Sequence, residues 1–126
     1  MDGLFEIRSP FESERIVIAY LLDLAGISRD ASSLLVRPTQ DGGMGSLAFA
    51  PFEHDRAFGS EAAECHFYDV DGVPVSVALN LDKEGRLFEL DVWRVDFRPT
   101  VRWPHEVELY AGPPKADGPD HPGGGA

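Results

Sequence analysis

Cysteine, basic side chains and long apolar runs are all scarce in this chain of 126 residues. Its single cysteine, Cys65, excludes an internal disulfide and makes a reducing, cytoplasmic setting the expectation. Eleven Lys and Arg against 22 Asp and Glu leave a formal charge of −11. Such a field repels phosphate backbones and anionic lipid, so the expectation is no nucleic acid and no membrane, and cationic partners are favoured instead. No apolar run reaches the length of a membrane span. Met1 to Ser9, with Asp2 and Glu6, lacks the basic start of a signal peptide. The length fits one domain with a core large enough to need no metal or disulfide staple.

Recognisable catalytic spacing is also missing. Thr39-Gln40-Asp41-Gly42-Gly43-Met44-Gly45 is glycine-rich, but no Lys-Ser/Thr follows and it opens onto the strand-like Ser46 to Ala50. Phosphate cradles instead feed a helix N-terminus. Cys65 and His66 are neighbours that point to opposite sides of a strand, and His54, His105 and His121 stand apart, so no metal and no cofactor are expected. Asp69-Val70-Asp71-Gly72 and Asp82-Lys83-Glu84-Gly85 look like fragments of calcium loops but lack the full ligand series. Turn chemistry accounts for both.

What the chain does have is alternation. Val73 to Phe97 reads as two long strands around the Asp82 to Gly85 turn, with apolar side chains at every second position. Before it, Ser9-Pro10 with Glu12 predicts a helix start and Gly26 a stop, and the apolar residues from Ile16 to Ala25 predict a helix buried on more than one side. Leu34 to Arg37, Ser46 to Ala50 and Ala62 to Asp69 add strands, with Glu106 to Tyr110 as a final short one. Phe52 and Phe58 are expected to tack the irregular Pro51 to Ser60 onto the core. The expected fold is α+β, one N-terminal helix packed on a twisted, mainly antiparallel meander sheet of five or six strands. Residues 1–110 form the domain, and 111–126, rich in Pro and Gly, form a disordered tail.

Register follows from the turns. A three-residue loop at Val70 to Gly72 pairs Phe67 with Val75 and Cys65 with Val77. A four-residue loop closed by Leu81 and Arg86 pairs Leu79 with Phe88 and Val77 with Leu90. The opposite face then carries His66, Ser76 and Asp91 in one row. These are the residue types of a hydrolase triad, but the serine lies between histidine and acid, and the base must sit in the middle. Catalytic residues are therefore not assigned. Apolar parity changes after Val92, which predicts a bulge there and brings Trp93, Arg94, Phe97, Arg98 and Trp103 forward as a candidate interface, since aromatics mixed with arginine are the composition of binding hot spots. The alternative is a small enzyme or ligand-binding domain with a pocket beneath Gly42 to Gly45, using His66, Ser76, Glu89 and Asp91.

Three segments, Asp41 to Leu47, Asp71 to Val75 and Leu87 to Phe97, together resemble a family of small bacterial proteins known only as a domain of unknown function, over about Arg8 to Pro104. That family transfers no activity or site. In size and acidity the chain also resembles the immunity proteins of bacterial polymorphic-toxin systems. The functional expectation is a cytoplasmic module that binds a protein partner, with immunity as one version and homo-oligomerisation as another.

Overall fold

The computed structural model describes residues 6–105 and 108–114. One helix, α1 (Glu12–Ala25), precedes six strands: β1 (Val36–Pro38), β2 (Leu47–Phe49), β3 (Phe58–Tyr68), β4 (Pro74–Asp82), β5 (Leu87–Arg94) and β6 (Tyr110–Ala111). They form one sheet in the order β1-β2-β5-β4-β3-β6, with every neighbouring pair antiparallel. The expected meander is its centre, β3-β4-β5, and the β1-β2 hairpin is added beyond β5. Strand β6 includes Ala111, so the sheet runs past the expected domain boundary at residue 110. Most of the expected tail lies outside the described residues.

The helix packs through Val17, Ile18, Leu21 and Leu22, all 2% exposed or less, onto Cys65, Phe67, Val75, Val77, Leu79, Leu90 and Val92 of the sheet. Burying each aliphatic side chain in this layer is worth about 1.5–3 kcal/mol. Each outweighs any single cap, so the stripe decides which way the helix faces. That stripe is narrower than expected: Leu24 is exposed, and the helix is buried on one side.

Its start also differs. The N-cap is Phe11, whose N–H donates to Glu14 Oε1 at 2.8 Å, while Arg8 donates two hydrogen bonds to the same carboxylate at 2.8 and 3.0 Å. Glu14 thus takes the role expected of Glu12, because only the residue three beyond the cap can reach back to it. Arg8 also exchanges backbone hydrogen bonds with Val36 and ties the helix start to the outer edge of β1. At the other end Gly26 adopts φ 70°, and the bonds Ile27 N–H to Leu22 O and Gly26 N–H to Asp23 O close a Schellman motif.

The β3-β4 turn matches the expected loop: Asp69 N–H donates to Val73 O at 2.9 Å, and Phe67 faces Val75. The β4-β5 turn does not. It is closed by Asp82 and Arg86 around Lys83 to Gly85, a copy of the first turn in which Gly85 has φ 83° as Gly72 does. That closure and a bulge between Asn80 and Leu81 each shift the pairing by one residue, so Leu79 faces Leu90 and Val77 faces Val92, two positions beyond the expected partners. A slip of two residues preserves side-chain parity, so Leu90 and Val92 face the helix as expected, but beside the bulge Leu87 enters the core in place of the expected Phe88. Phe58, 53% exposed, does not tack its loop to the core.

Candidate functional site

The predicted bulge at Val92-Trp93 is absent, and β5 runs straight through to Arg94. Leu90, Val92 and Arg94 therefore share the helix-facing side, and a guanidinium 3% exposed stands where the alternation calls for an apolar group. Arg94 donates to Asp69 (2.7 Å), Asp71 and Asp96 (2.8 Å). Asp69 also accepts from the backbone N–H groups of Val70, Val101 and Arg102 at 2.7–3.0 Å. Burial alone would raise the Asp69 carboxyl, but those N–H donors and Arg94 together hold it below its ordinary value. Hydrogen bonding from Arg94 takes Asp96 down to about 2.

This cluster fixes residues 97–104 as a strap over the end of the sheet. Its far side rests on the glycine-rich loop: Thr100 Oγ1 donates to Met44 O at 2.8 Å, and the Trp103 ring lies against Gly45, where an added Cβ would come within 2.9 Å of it. Gly45, at φ 112°, is open to a side chain neither in space nor in backbone conformation. The glycines thus seat the strap. Asp41 closes the loop by accepting from Met44 N–H and Ser46 N–H at 3.1 and 2.7 Å.

The candidate interface residues divide accordingly. Trp93 and Phe97, with ring centroids 5.9 Å apart, are 45% and 69% exposed, and Val95 between them is 38% exposed. Arg94 is buried, and Arg98 is exposed with its N–H on Asp96. Trp103 lies on the other side of the sheet, 6.4 Å from Phe67. Phe97 has φ 64°, the one non-glycine described residue with positive φ, and its N–H donates to Arg94 O at 2.8 Å. For an aromatic residue that conformation costs about 1–2 kcal/mol, held in place here by the Arg94-Asp96 pair.

The second set does not converge. The observed register puts His66, Ser76 and Trp93 in one row, Glu64, Ala78 and Asp91 in the next, and Glu61, Asn80 and Glu89 in a third. His66 is buried, stacked on Tyr110 at 5.4 Å, and its Nδ1 lies 2.7 Å from Gly112 O, so that nitrogen carries the proton and donates. Ser76 Oγ donates to Glu64 at 2.8 Å. Burial first, and then the Asp91 carboxylate, push Glu89 up. An open cavity of about 510 Å³ does lie beneath the Gly42 to Gly45 loop, but its polar wall is Arg8, Glu14, Thr39, Gln40, Asp41 and Ser46. Among the described residues no cluster of three or more His, Cys, Asp or Glu is placed to hold a metal ion, and no helix is long and apolar enough to cross a membrane. Cys65 is fully buried, and burial, then Glu64, push its thiol up to about 12.

Sequence reasoning missed Arg56. Its guanidinium, on the loop before β3, donates to Asp82 at 3.0 Å and to the carbonyls of Phe49, Pro51 and Leu87. Burial works against ionisation of Asp82, yet the Arg86 N–H, Arg56 and the Glu84 N–H hold it at about 2. The available signal was the repeated Asp-x-x-Gly, since two identical turns whose aspartates fall at strand ends each need a cation.

Residues 7–104 match the family model of a domain of unknown function, DUF6984. The chain belongs to that family. No curated protein and no solved structure matches it. The DUF6984 span covers the helix, the first five strands and the strap, and it stops short of β6.

Proposed function

We propose that this DUF6984 domain is a protein-interaction module that docks a partner on the outer face of its sheet, centred on Trp93 and Phe97. The observation that carries the reading is the aromatic pair itself: two large rings in mutual contact, Trp93 45% and Phe97 69% exposed, on the side of the sheet opposite α1. Large aromatics dominate interface energetics when a partner covers them. Phe97 strengthens the case, because an exposed phenylalanine occupies a left-handed backbone position that glycine would adopt without strain. A cytoplasmic immunity protein that covers a bacterial toxin is the specific version that fits the acidic composition.

Two measurements test it. A photo-crosslinking amino acid at 93 or 97 should give a discrete adduct in host extract, whereas the same group at the exposed Leu24 of α1 should not. Phe97→Gly should leave the domain at least as stable, by up to about 1 kcal/mol, while the adduct formed from position 93 is lost. Equal adducts from 24 and 93, or a Phe97→Gly variant that is markedly less stable, would remove the reading.

A further inference from the structure

Resting on that reading, we infer that the partner presents a cationic segment, with basic side chains against the acidic part of the outer face and an apolar residue against Trp93 and Phe97. The sheet has its α-helix on one side, and no described helix or second sheet packs on the other. On that open side the carboxylates of Glu61, Glu64, Glu89 and Asp91 occupy two adjacent rows beside the row of Trp93. Among the described residues no ion pair reaches any of the four. The arginines that form ion pairs are used elsewhere: Arg8 on Glu14, Arg56 and Arg86 on Asp82, Arg94 on Asp69, Asp71 and Asp96, and Arg102 on Glu108. The repulsion registers locally, since the Asp91 charge adds to burial in raising Glu89 against a smaller opposing pull from Arg56, and the Glu64 charge adds to burial in raising Glu61.

Charge selects among the possible occupants. A second copy of the chain would bring the same four acids against themselves, in a molecule already at −11. Residues 115–126 carry Lys115 against Asp117 and Asp120, and so cannot neutralise the face either. A basic partner can. Asp91 and Glu64 flank Ala78 at roughly 10 Å, and Glu89 and Asp91 are about 7 Å apart along β5, a spacing that alternate side chains of an extended basic segment can match. Lysine or arginine beside an exposed tryptophan also gains a cation–π contact.

The probe is a fluorescein-labelled nona-arginine peptide titrated with the full chain, read by anisotropy at 50 and 300 mM NaCl. The expected result is salt-sensitive binding that weakens about tenfold or more in Glu89→Gln/Asp91→Asn and less than about threefold in Glu12→Gln/Asp23→Asn, which removes the same charge from exposed positions of α1. Equal losses in the two double variants would mean that the peptide senses net charge alone, and absence of binding at 50 mM would likewise overturn the inference. Self-association that appears in wild type and strengthens when Glu89 and Asp91 are neutralised would assign the face to a second copy. The two readings fail separately: if crosslinking from 93 and 97 still captures a partner while Glu89→Gln/Asp91→Asn changes nothing, the interface stands and the cationic class falls.

Discussion

The aspartates at the two hairpin turns and the carboxylates on the outer sheet face are the same chemistry in opposite circumstances. Asp69 and Asp82 each sit at the end of a strand, each precede a three-residue loop ending in a left-handed glycine, and each are buried against a guanidinium. Both are held below the ordinary carboxylate range. Glu61 and Glu89, on the strand faces between those turns, are pushed above it. Ends of the sheet are therefore built to keep acids ionised, and its open face is not. The first arrangement stabilises the fold. The second costs it something, and groups that cost stability without a structural return are where function is to be sought.

The largest way to break this contrast is Arg94→Leu. It leaves Asp69 buried with backbone donors alone and frees Asp96 from the strap. Removing one partner of a buried pair is far costlier than replacing both, so the melting temperature should fall by on the order of 10 °C or more. Adding Asp69→Asn to that variant should cost much less than in the wild type. Strictly additive losses in this double-mutant cycle, followed by circular dichroism, would mean that Asp69 and Arg94 do not work as a unit.

Acid should act next most strongly, and in a stated direction. Asp82 and Asp96 titrate near 2 in the folded chain and near 3.9 when unfolded. Between those values the unfolded chain binds more protons, so stability present above about pH 4 is lost as pH falls toward 2. Denaturation midpoints measured from pH 5 to pH 2 should drop steadily across that window, and a flat profile would contradict the depressed values.

How much of this was legible in the residues depends on which physical rule each feature obeys. Period-two alternation identified the helix-facing side of β3, β4 and β5 from Leu90 onward, because parity survives an even slip in register, but it placed Phe88 in the core where the bulge puts Leu87. The pairs themselves turned on whether Leu81 or Asp82 closes the second hairpin and on the bulge beside it, and an aspartate that both caps its own loop and binds Arg56 is a tertiary fact. Arg94 broke the alternation from within: a charged residue at a core position reads as a phase change unless the three aspartates that surround it, two of them across a turn, are already known to be near. The exposed aromatics were recoverable at Trp93 and Phe97, but Trp103 belonged to the other face, since only the folded strap shows it seated on Gly45.

The strap can be tested from that other side. Gly45→Ala adds a methyl group against the Trp103 ring at a backbone angle alanine resists, and it should cost about 1–3 kcal/mol. Gly42→Ala provides the control in the same loop, with φ 75° but nothing within 4 Å, and should cost less. If the two variants unfold at the same urea concentration, the loop is not the seat of the strap and the turn aspartates hold it alone.

The smallest expected effect has the opposite sign. At Glu89 burial and the Asp91 charge both resist ionisation, and the attraction of Arg56 offsets them only in part. A group raised in the folded state is a net cost above its folded value, and that cost is relieved as pH falls through it. Glu89→Gln removes the charge at nearly constant shape and should therefore stabilise the domain. The gain should be only a few tenths of a kcal/mol, because the group remains partly solvated and surface repulsion is screened. Read as the urea midpoint at pH 7 with an unchanged slope, the gain should shrink at pH 4, where Glu89 in the wild type takes up its proton. Asp82→Asn, the matching neutralisation at a turn, should move the midpoint the other way, since it leaves the buried Arg56 without its anion. A sheet in which both substitutions destabilise would have no acids to spare on its open face, and the distinction between fold-holding and partner-facing carboxylates would not survive.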